Sequence, residues 1–552
     1  MKRTMVDINA VIVRGDKLFN SQERLNAENG WKEVSEFMLN NQYAPFSTGS
    51  AGTRDIIGST KGHKTTRRLF DSTALQATQD LASSFQGTLT NPATVWSKLR
   101  FQEEELNNDE ESTIWLERVN QSIHNELNES NFNTEIAKGY QSFVGLANMV
   151  LFQEEGENGK FVFTAVHIAK IVWAEDKNGM VDTVYRKFTL TARQAVEKFG
   201  KAIHLDIRKN AIEDPDKEYP FLHCIYPREE KFVKFDKLGL AIAKNRPVAS
   251  LYIDMEHTSL VEEGGYYEMP VLVARWSLLP GETCGRGPGH LALPDTRTLN
   301  LLKQRGLEAI DIQIRPPILA NQRDVMGTLD LRPGVVNIVR DRNGISEFKS
   351  QSRTDILQFS IEDLKASIKS IFFLDKLLLP PRTETGEMTA FEVSQRVEQM
   401  QRVLGPVLSR INNELLSPLV VRSFKILLRS GRLPQVPAML RERGINVDIV
   451  FVNQLARAQQ IQDVSTIQQW VQGLLQIAQL NPAVVDMINT DGIAKHTAKI
   501  LGVPEIAVQN DKTVQAVREQ RAQQQQQQQQ MAMAVQGADV ASKTQGLDQS
   551  QE

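Results

Sequence analysis

Phosphate chemistry is the first chemistry these residue types could carry, because two glycine-rich stretches stand out. Gly58-Ser59-Thr60-Lys61-Gly62 has the composition of a phosphate loop. Such a loop needs G-x-x-x-x-G-K-S/T opening a helix after a strand, so that backbone amides cradle the anion and the lysine reaches it. The Gly-Lys-Ser/Thr order is absent, which leaves a flexible loop. Gly285-Arg286-Gly287-Pro288-Gly289 lacks the G-x-G-x-x-G spacing of dinucleotide folds. Pro288 is expected to block a helix start there, so turn geometry explains the glycines better. The eight histidines are scattered, and no pair has the i, i+4 spacing of a zinc protease. His290 and His496 are expected to be surface or packing residues. Cys224 and Cys284 are too far apart in sequence to suggest a disulfide framework or zinc site, and read as buried, unreactive thiols. Tyr266 and Tyr267 beside Glu268 suit a strand turn. No nucleophile has a base beside it in sequence. A catalytic centre is not expected, nor is a cofactor or metal.

The elements that would position any site fall into four blocks. Residues 1–150 read mostly as helix. Leu81, Phe85 and Leu89 recur at a helical interval before Asn91 and Pro92 stop the pattern. Further helices are expected over 114–132 and 134–151, with 103–111 as a solvated helix end or loop. Residues 160–280 change character. The run FVFTAVHIAKIVW is β-branched and aromatic, a turn signal follows at 175–179, and MVDTVYRKFTL completes a β-hairpin. A short helix over 191–199 and strands near 221–226, 248–255 and 266–276 make this an α+β region with antiparallel strands. The third block is helix, small β excursion, helix. Leu299, Leu302, Ile310 and Ile314 share a face over 295–314, which at 1.5 Å per residue spans about 30 Å. Pro316 and Pro317 end it. Turns at 332–334 and 341–344 follow, then a helix over 360–379 stopped by Pro380 and Pro381. This order suits a stalk with a small tip.

The fourth block has the cleanest periodicity. Thr389 and Glu392 form a capping box. Val393, Val397, Met400, Leu404, Leu408, Ile411 and Leu415 then recur every three or four residues. Gly405 and Pro406 fall inside this run. Proline lacks an amide donor and clashes with the preceding turn, so either a kink or two helices meeting at a loop is expected. Polar-faced helices are expected over 455–479 and 491–501. A pure glutamine run, 523–530, sits in a tail that offers little to bury and reads as helix fading into disorder.

Composition bounds the function classes. At 552 residues the chain is too long for one hydrophobic core. Hydrophobic residues make up 41% and charged residues 24%, ordinary for a globular protein. A net charge of -3 argues against a protein that coats nucleic acid by neutralising phosphates. It leaves room for one that surrounds DNA without gripping it. No stretch approaches the roughly 20 apolar residues of a membrane span, and no signal-peptide pattern is expected at the start.

Several local motifs, in this order, resemble the portal, or head-to-tail connector, family of short-tailed, podovirus-type phages. GRGPGHLALPDTRTLNLL (285–302) resembles the family's entry into its first stem helix. PPILANQRDVMGTLDLRPGVVN (316–337) is similar to its clip, and RTETGEMTAFEVSQR (382–396) to the passage from channel loop to long helix. ALQATQDLASSFQGTLTNPATVW and LNESNFNTEIAKGYQSFVGLANMVLF resemble wing helices. The likeness covers nearly the whole chain and is weakest in the first 40 residues and beyond residue 510.

The resemblance implies an α+β portal fold. Its parts would be a wing over 1–288, helical at first and β-rich over 160–280, a first stem helix over 289–316, a clip over 317–354 and a second stem helix over 355–380. A channel loop and long kinked helix over 381–445, a helical crown over 446–508 and a glutamine-rich, partly disordered tail over 509–552 would complete it. It implies a homo-oligomeric ring of twelve copies at one capsid vertex of the virion, made in the host cytoplasm. That ring conducts double-stranded DNA with weak, non-specific contact during packaging and ejection, nucleates assembly with scaffolding and major capsid protein, and docks the terminase large subunit and then a tail adaptor. Arg382, Thr383, Glu384, Thr385, Gly386 and Glu387 would form the channel loop. Arg323, Arg332, Arg340 and Arg342 would face docking partners in the clip, although charged residues there also suit a plain solvated face. The rival readings are a packaging-associated enzyme, which the missing phosphate loop disfavours, and a scaffold or adaptor, which the β-rich block disfavours.

Overall fold

Helix starts in the first 150 residues are set by short polar side chains. Asp7 and Ser21 each accept a backbone amide of the first turn of the helix they precede, α1 (Ile8–Phe19) and α2 (Gln22–Met38). The computed structural model describes residues 7–39, 69–107, 109–156, 159–235, 241–314, 318–320, 345–347, 354–377, 403–437, 440, 447–451, 466–474, 488–501, 514–521, 523, 524 and 527. The chain divides into two units, Met1–Leu455 and Ala456–Glu552.

In the first unit, α3 (Thr73–Leu89) is followed by β1 (Ser97–Phe101), α4 (Glu104–Asn107), α5 (Glu110–Glu129) and α6 (Phe132–Leu146). The helical reading of 134–151 is corrected here. α6 stops at Leu146, Ala147 takes a left-handed φ of 58°, and β2 (Asn148–Glu155) begins at once. Met149 to Phe152 are apolar at every position, so helical and strand patterns cannot be told apart locally. Pairing decides: β2 lies between β3 (Phe161–Ala165) and β9 (Val271–Arg275), antiparallel to both.

The expected hairpin is half right. β4 (Ile171–Glu175) and β5 (Val181–Thr191) do pair across the 176–179 turn, where Gly179 has φ +76°. The upstream part of FVFTAVHIAKIVW instead joins the other sheet as β3, because a 3₁₀ turn at Ile168–Lys170 separates it from β4. β4 and β5 continue through β6 (Glu218–Pro227), β7 (Val248–Asp254) and β8 (Ser259–Tyr266) into a five-stranded antiparallel sheet. Strand β8 was not expected; its burial is broken and two glycines weaken its β signal.

Period-two alternation sorts this sheet's side chains. Tyr219, Phe221, Tyr252 and Val261 face α7 (Ala192–Phe199) and α8 (Leu205–Glu213), whose Ala195, Phe199 and Ile207 complete one core. Leu222, Cys224, Leu251 and Ile253 face the other way, toward Phe19 of α1. α7 carries a full capping box between Thr191 and Gln194. The largest core joins α2, α3, α5 and α6 to the three-stranded sheet, around the fully buried Trp31, Tyr140 and Phe143. β1 pairs with β12 (Val447–Phe451), so residues 350 positions apart close one side of this core.

The glycine-rich 285–289 segment is a close approach, and its reading needs one correction. Pro288 does not block a helix start; it occupies the first turn of α9 (Pro288–Leu291). A proline is tolerated there because its missing amide would have no helical partner anyway. Cβ atoms added at Gly285, Gly287 or Gly289 would strike Ala147, Trp276 or Gly145. α10 (Leu293–Ile314) then leaves the core, β10 (Ile318–Ala320) pairs antiparallel with β11 (Ile345–Glu347), and α11 (Thr354–Ile371) returns. The second helix therefore runs from 354 to 371 rather than 360–379. Phe373, at φ 57°, breaks it before α12 (Leu374–Leu377).

A helix over 403–411, α13, contains both Gly405 and Pro406, and passes into a π-helical turn, Asn412–Leu416, and then α14 (Ser417–Arg429). In the second unit, helical segments cover 466–474, Thr490–Leu501 and 514–521, and Arg518 grips Asp491 with two hydrogen bonds of 2.6 Å.

Candidate functional site

The candidate site is an assembly surface, and α10 with α11 is its framework. The pair is antiparallel: Asp295 near the start of α10 accepts from Ser367 near the end of α11 at 2.7 Å, whereas Gly306 lies against Leu357. Gly306 has no side chain, which lets the backbones approach. At 22 residues α10 is about 33 Å long.

Its first half is anchored. Asn300 accepts from the amides of Phe70 and Asp71 at 2.8 and 3.1 Å and donates to the Thr296 carbonyl at 2.9 Å. Lys365 lies 3.4 Å from Asp71. Burial alone would raise the Asp71 carboxyl, but donation from Thr73 and the nearby Lys365 ammonium outweigh it and hold the group below its ordinary value.

Among the described residues its second half has no such cover. Leu307, Ile310, Ile312 and Ile314 are exposed, Ile314 at 72%, and Phe359 on α11 is 73% exposed. Leu307, Ile310 and Ile314, three and four residues apart, share one face of α10, and exposed apolar side chains of this size suit a surface for another protein.

Two ion-pair clusters, one fully and one partly buried, tie β9 and the turn before it to the helices after residue 403. Arg275, at the end of β9, is fully buried. Its Nη2 donates to Glu414 at 2.7 Å and to the Gly179 carbonyl at 3.0 Å, and the guanidinium also pairs with Glu175. Burial alone would lower the pKa of this guanidinium; the two carboxylates reverse that and raise it. Glu414 further accepts the Arg275 amide at 2.9 Å and Arg410 at 3.0 Å. It sits inside the π turn, whose extra residue per turn changes which face each side chain takes. The second cluster puts Glu268 between Arg422 and Arg429, with 2.7 and 3.0 Å bonds from Arg429. Burial pushes the Arg422 guanidinium down to about 10.

Sequence reasoning missed these groups. Signals existed: Arg275 ends an otherwise apolar strand, and Glu414 falls in the π turn, inside the apolar run from Leu404 to Leu415. Glu268 was seen, but as part of a strand turn. The residues singled out for function lie elsewhere. Arg323, Arg332, Arg340, Arg342 and all of 382–387 fall outside the described residues, as do Thr389 and Glu392. Cys224 and Cys284 are buried and free, and burial raises both thiols, Cys284 to about 11. Burial, aided by Arg286, pushes His290 down to about 4, so it packs as a neutral ring against α2 near Gly30. Among the described residues no helix is long and apolar enough to cross a membrane.

Comparison with known proteins decides the family. The family model described as bacteriophage head to tail connecting protein matches residues 19–508. The chain belongs to that family. It is a phage portal, or head-to-tail connecting, protein: a structural component of the virion at the head–tail junction and not an enzyme. It is 28% identical over 541 residues to the portal protein of Salmonella phage epsilon15, covering 96% of this chain and 94% of that one. It is also 28% identical, over 546 residues and with the same coverage, to a probable portal protein of Bordetella phage BPP-1. Among solved structures it is similar, at 9% identity and a TM-score of 0.37, to a chain from the virion of a native gene transfer agent particle, covering 79% of this chain and 90% of that one. A chain from the neck of such a particle, computed with C12 symmetry, gives a TM-score of 0.35 at 9% identity, covering 75% and 89%.

Proposed function

We propose that the chain assembles into a twelve-membered ring at one capsid vertex, through which double-stranded DNA enters and leaves the head. The family match over 19–508 carries this reading. The uncovered apolar half of α10 and Phe359 of α11 support it. A closed ring repeats one heterologous interface around an axis, and such an interface needs a surface of this kind. In this reading α10 and α11 are the two stem helices of 289–316 and 355–380, and 317–354 is the clip between them. Residues 1–288 form the wing and 446–508 the crown, except that β12 at its start pairs with β1 of the wing. Residues 509–552 form a tail facing the capsid interior. Residues 381–445 hold a channel loop at 382–387 and, after it, the long helix, kinked at Gly405 and Pro406 and ending at Arg429.

DNA must slide through such a ring. The net charge of -3 suits this, because strong phosphate neutralisation would hold the duplex. Arg323, Arg332, Arg340 and Arg342 present positive charge at the clip to acidic surfaces of the terminase large subunit and later of the tail adaptor. Scaffolding and major capsid proteins meet the ring during head assembly. Deleting residues 341–344 tests the clip assignment. Heads should still form, while packaging or tail attachment fails. Normal yields of infectious particles from that deletion would contradict it.

A further inference from the structure

Outside the ion-pair clusters, three lone-pair-bearing atoms converge where α8 meets the β7–β8 turn. His204 caps α8, and its Nδ1 accepts the Asp206 amide at 3.3 Å. That nitrogen is therefore unprotonated in the neutral ring. His257, in the turn after β7, lies 2.7 Å through its Nδ1 from a carboxylate oxygen of Asp254. Asp254 is fully buried and also accepts the amides of Glu256 and His257. The Nδ1 of His257 thus carries a proton, and in the neutral ring its Nε2 presents a lone pair. Both nitrogens lie near the same oxygen: Asp206 Oδ2 is 3.3 Å from His204 Nδ1 and 3.7 Å from His257 Nε2.

The three ligand atoms lie within 4.8 Å of one another, and lone-pair-bearing atoms gathered this closely attract a positive charge. We propose that His204, Asp206 and His257 bind a divalent transition-metal ion of the zinc class, which ties α8 to the β7–β8 turn. Three features support a metal. Two imidazole nitrogens and one carboxylate oxygen are donors that zinc accepts, whereas calcium and magnesium take oxygen sets. Ligand atoms about 2.0–2.1 Å from a tetrahedral centre lie about 3.3 Å from one another, close to the 3.3 and 3.7 Å that separate the two nitrogens from Asp206 Oδ2. Asp254 behind His257 is the outer carboxylate that fixes tautomer and ring orientation in metal-bound histidines. The two rings stack with centroids 3.9 Å apart, so His204, 43% exposed, must turn to aim its lone pair at the shared ion. The fourth position would be open to water.

The test uses the full-length protein in its assembled state, without a histidine tag and stripped with a chelator. Titration with zinc chloride should show about one ion per chain, and cobalt(II) should give a visible absorption band of four-coordinate nitrogen and oxygen ligation. Asp206→Ala and His204→Ala, both at exposed positions that leave the Asp254–His257 pair intact, should weaken zinc binding at least tenfold. Glu213→Gln, at an exposed carboxylate ending the same helix, should leave it unchanged. Absence of zinc binding would overturn the proposal and leave a proton as the neutralising charge. So would binding that both variants leave intact.

Discussion

At the residue scale the chain is held by polar groups placed deep in apolar surroundings. Arg275 and Glu414 come from a strand and a helix 139 residues apart in sequence. Removing one partner of a buried pair strands the other charge without water, typically at about 3–5 kcal/mol. Glu414→Ala should therefore lower the thermal-unfolding midpoint clearly. Lys138→Ala, which breaks an i, i+3 pair with Glu135 at a 59% exposed lysine, should barely move it. Equal midpoints for the two variants would show that the buried cluster is not what ties the π turn to β9. These residues were not legible in the sequence, because an isolated Arg or Glu in an apolar run looks the same whether it is satisfied across the fold or simply exposed. The buried thiols were legible, since no ligand or base lay near them in the chain; His290 was left as a surface or packing residue, and the fold makes it packing.

At the element scale, local patterns succeeded where one period dominated. The helix ending before Asn91, the short helix over 191–199, the turn at Gly179 and the long α10 all followed from local signals. Patterns failed where tertiary pairing chose between two possibilities. Residues 148–152 are apolar throughout and became strand because β9 and β3 flank them. β3 left the expected hairpin because His167 to Lys170 turn the chain into another sheet. β1 and β12 need partners 350 positions apart, which no local window contains. The 285–289 glycines were read as turn geometry, and their role is close packing: a Cβ on Gly289 would overlap the Gly145 carbonyl. Gly289→Ala should thus cost at least 1–3 kcal/mol through backbone displacement, as overpacking does. Gly87, inside α3, has nothing within 4 Å of an added Cβ. Gly87→Ala should stabilise by about 0.5–1 kcal/mol through helix propensity. Comparison of the two melting curves checks both signs; two similar shifts would remove the packing argument.

At the scale of the whole molecule, the family was legible because motifs of several parts occur in the right order along one chain. The residues proposed to meet DNA and partners cluster at 323–342 and 382–387, and their test must come from function. One arginine, Arg382, against two glutamates, Glu384 and Glu387, gives the channel loop a sum of -1. Changing Glu384 and Glu387 to Lys alters this by +4 per chain, to +3, repeated at one level of the ring. Counterion release should then make DNA passage slower and more salt-sensitive while rings still assemble. Packaging and ejection rates equal to the parent protein at low and moderate salt would show that the loop does not face DNA. The central claim, a closed ring built from this chain, has a more direct test. Native mass measurement of the purified full-length protein, with end-on averaged electron micrographs, should give one large cyclic species with an open central channel. A stable monomer at high protein concentration would contradict it.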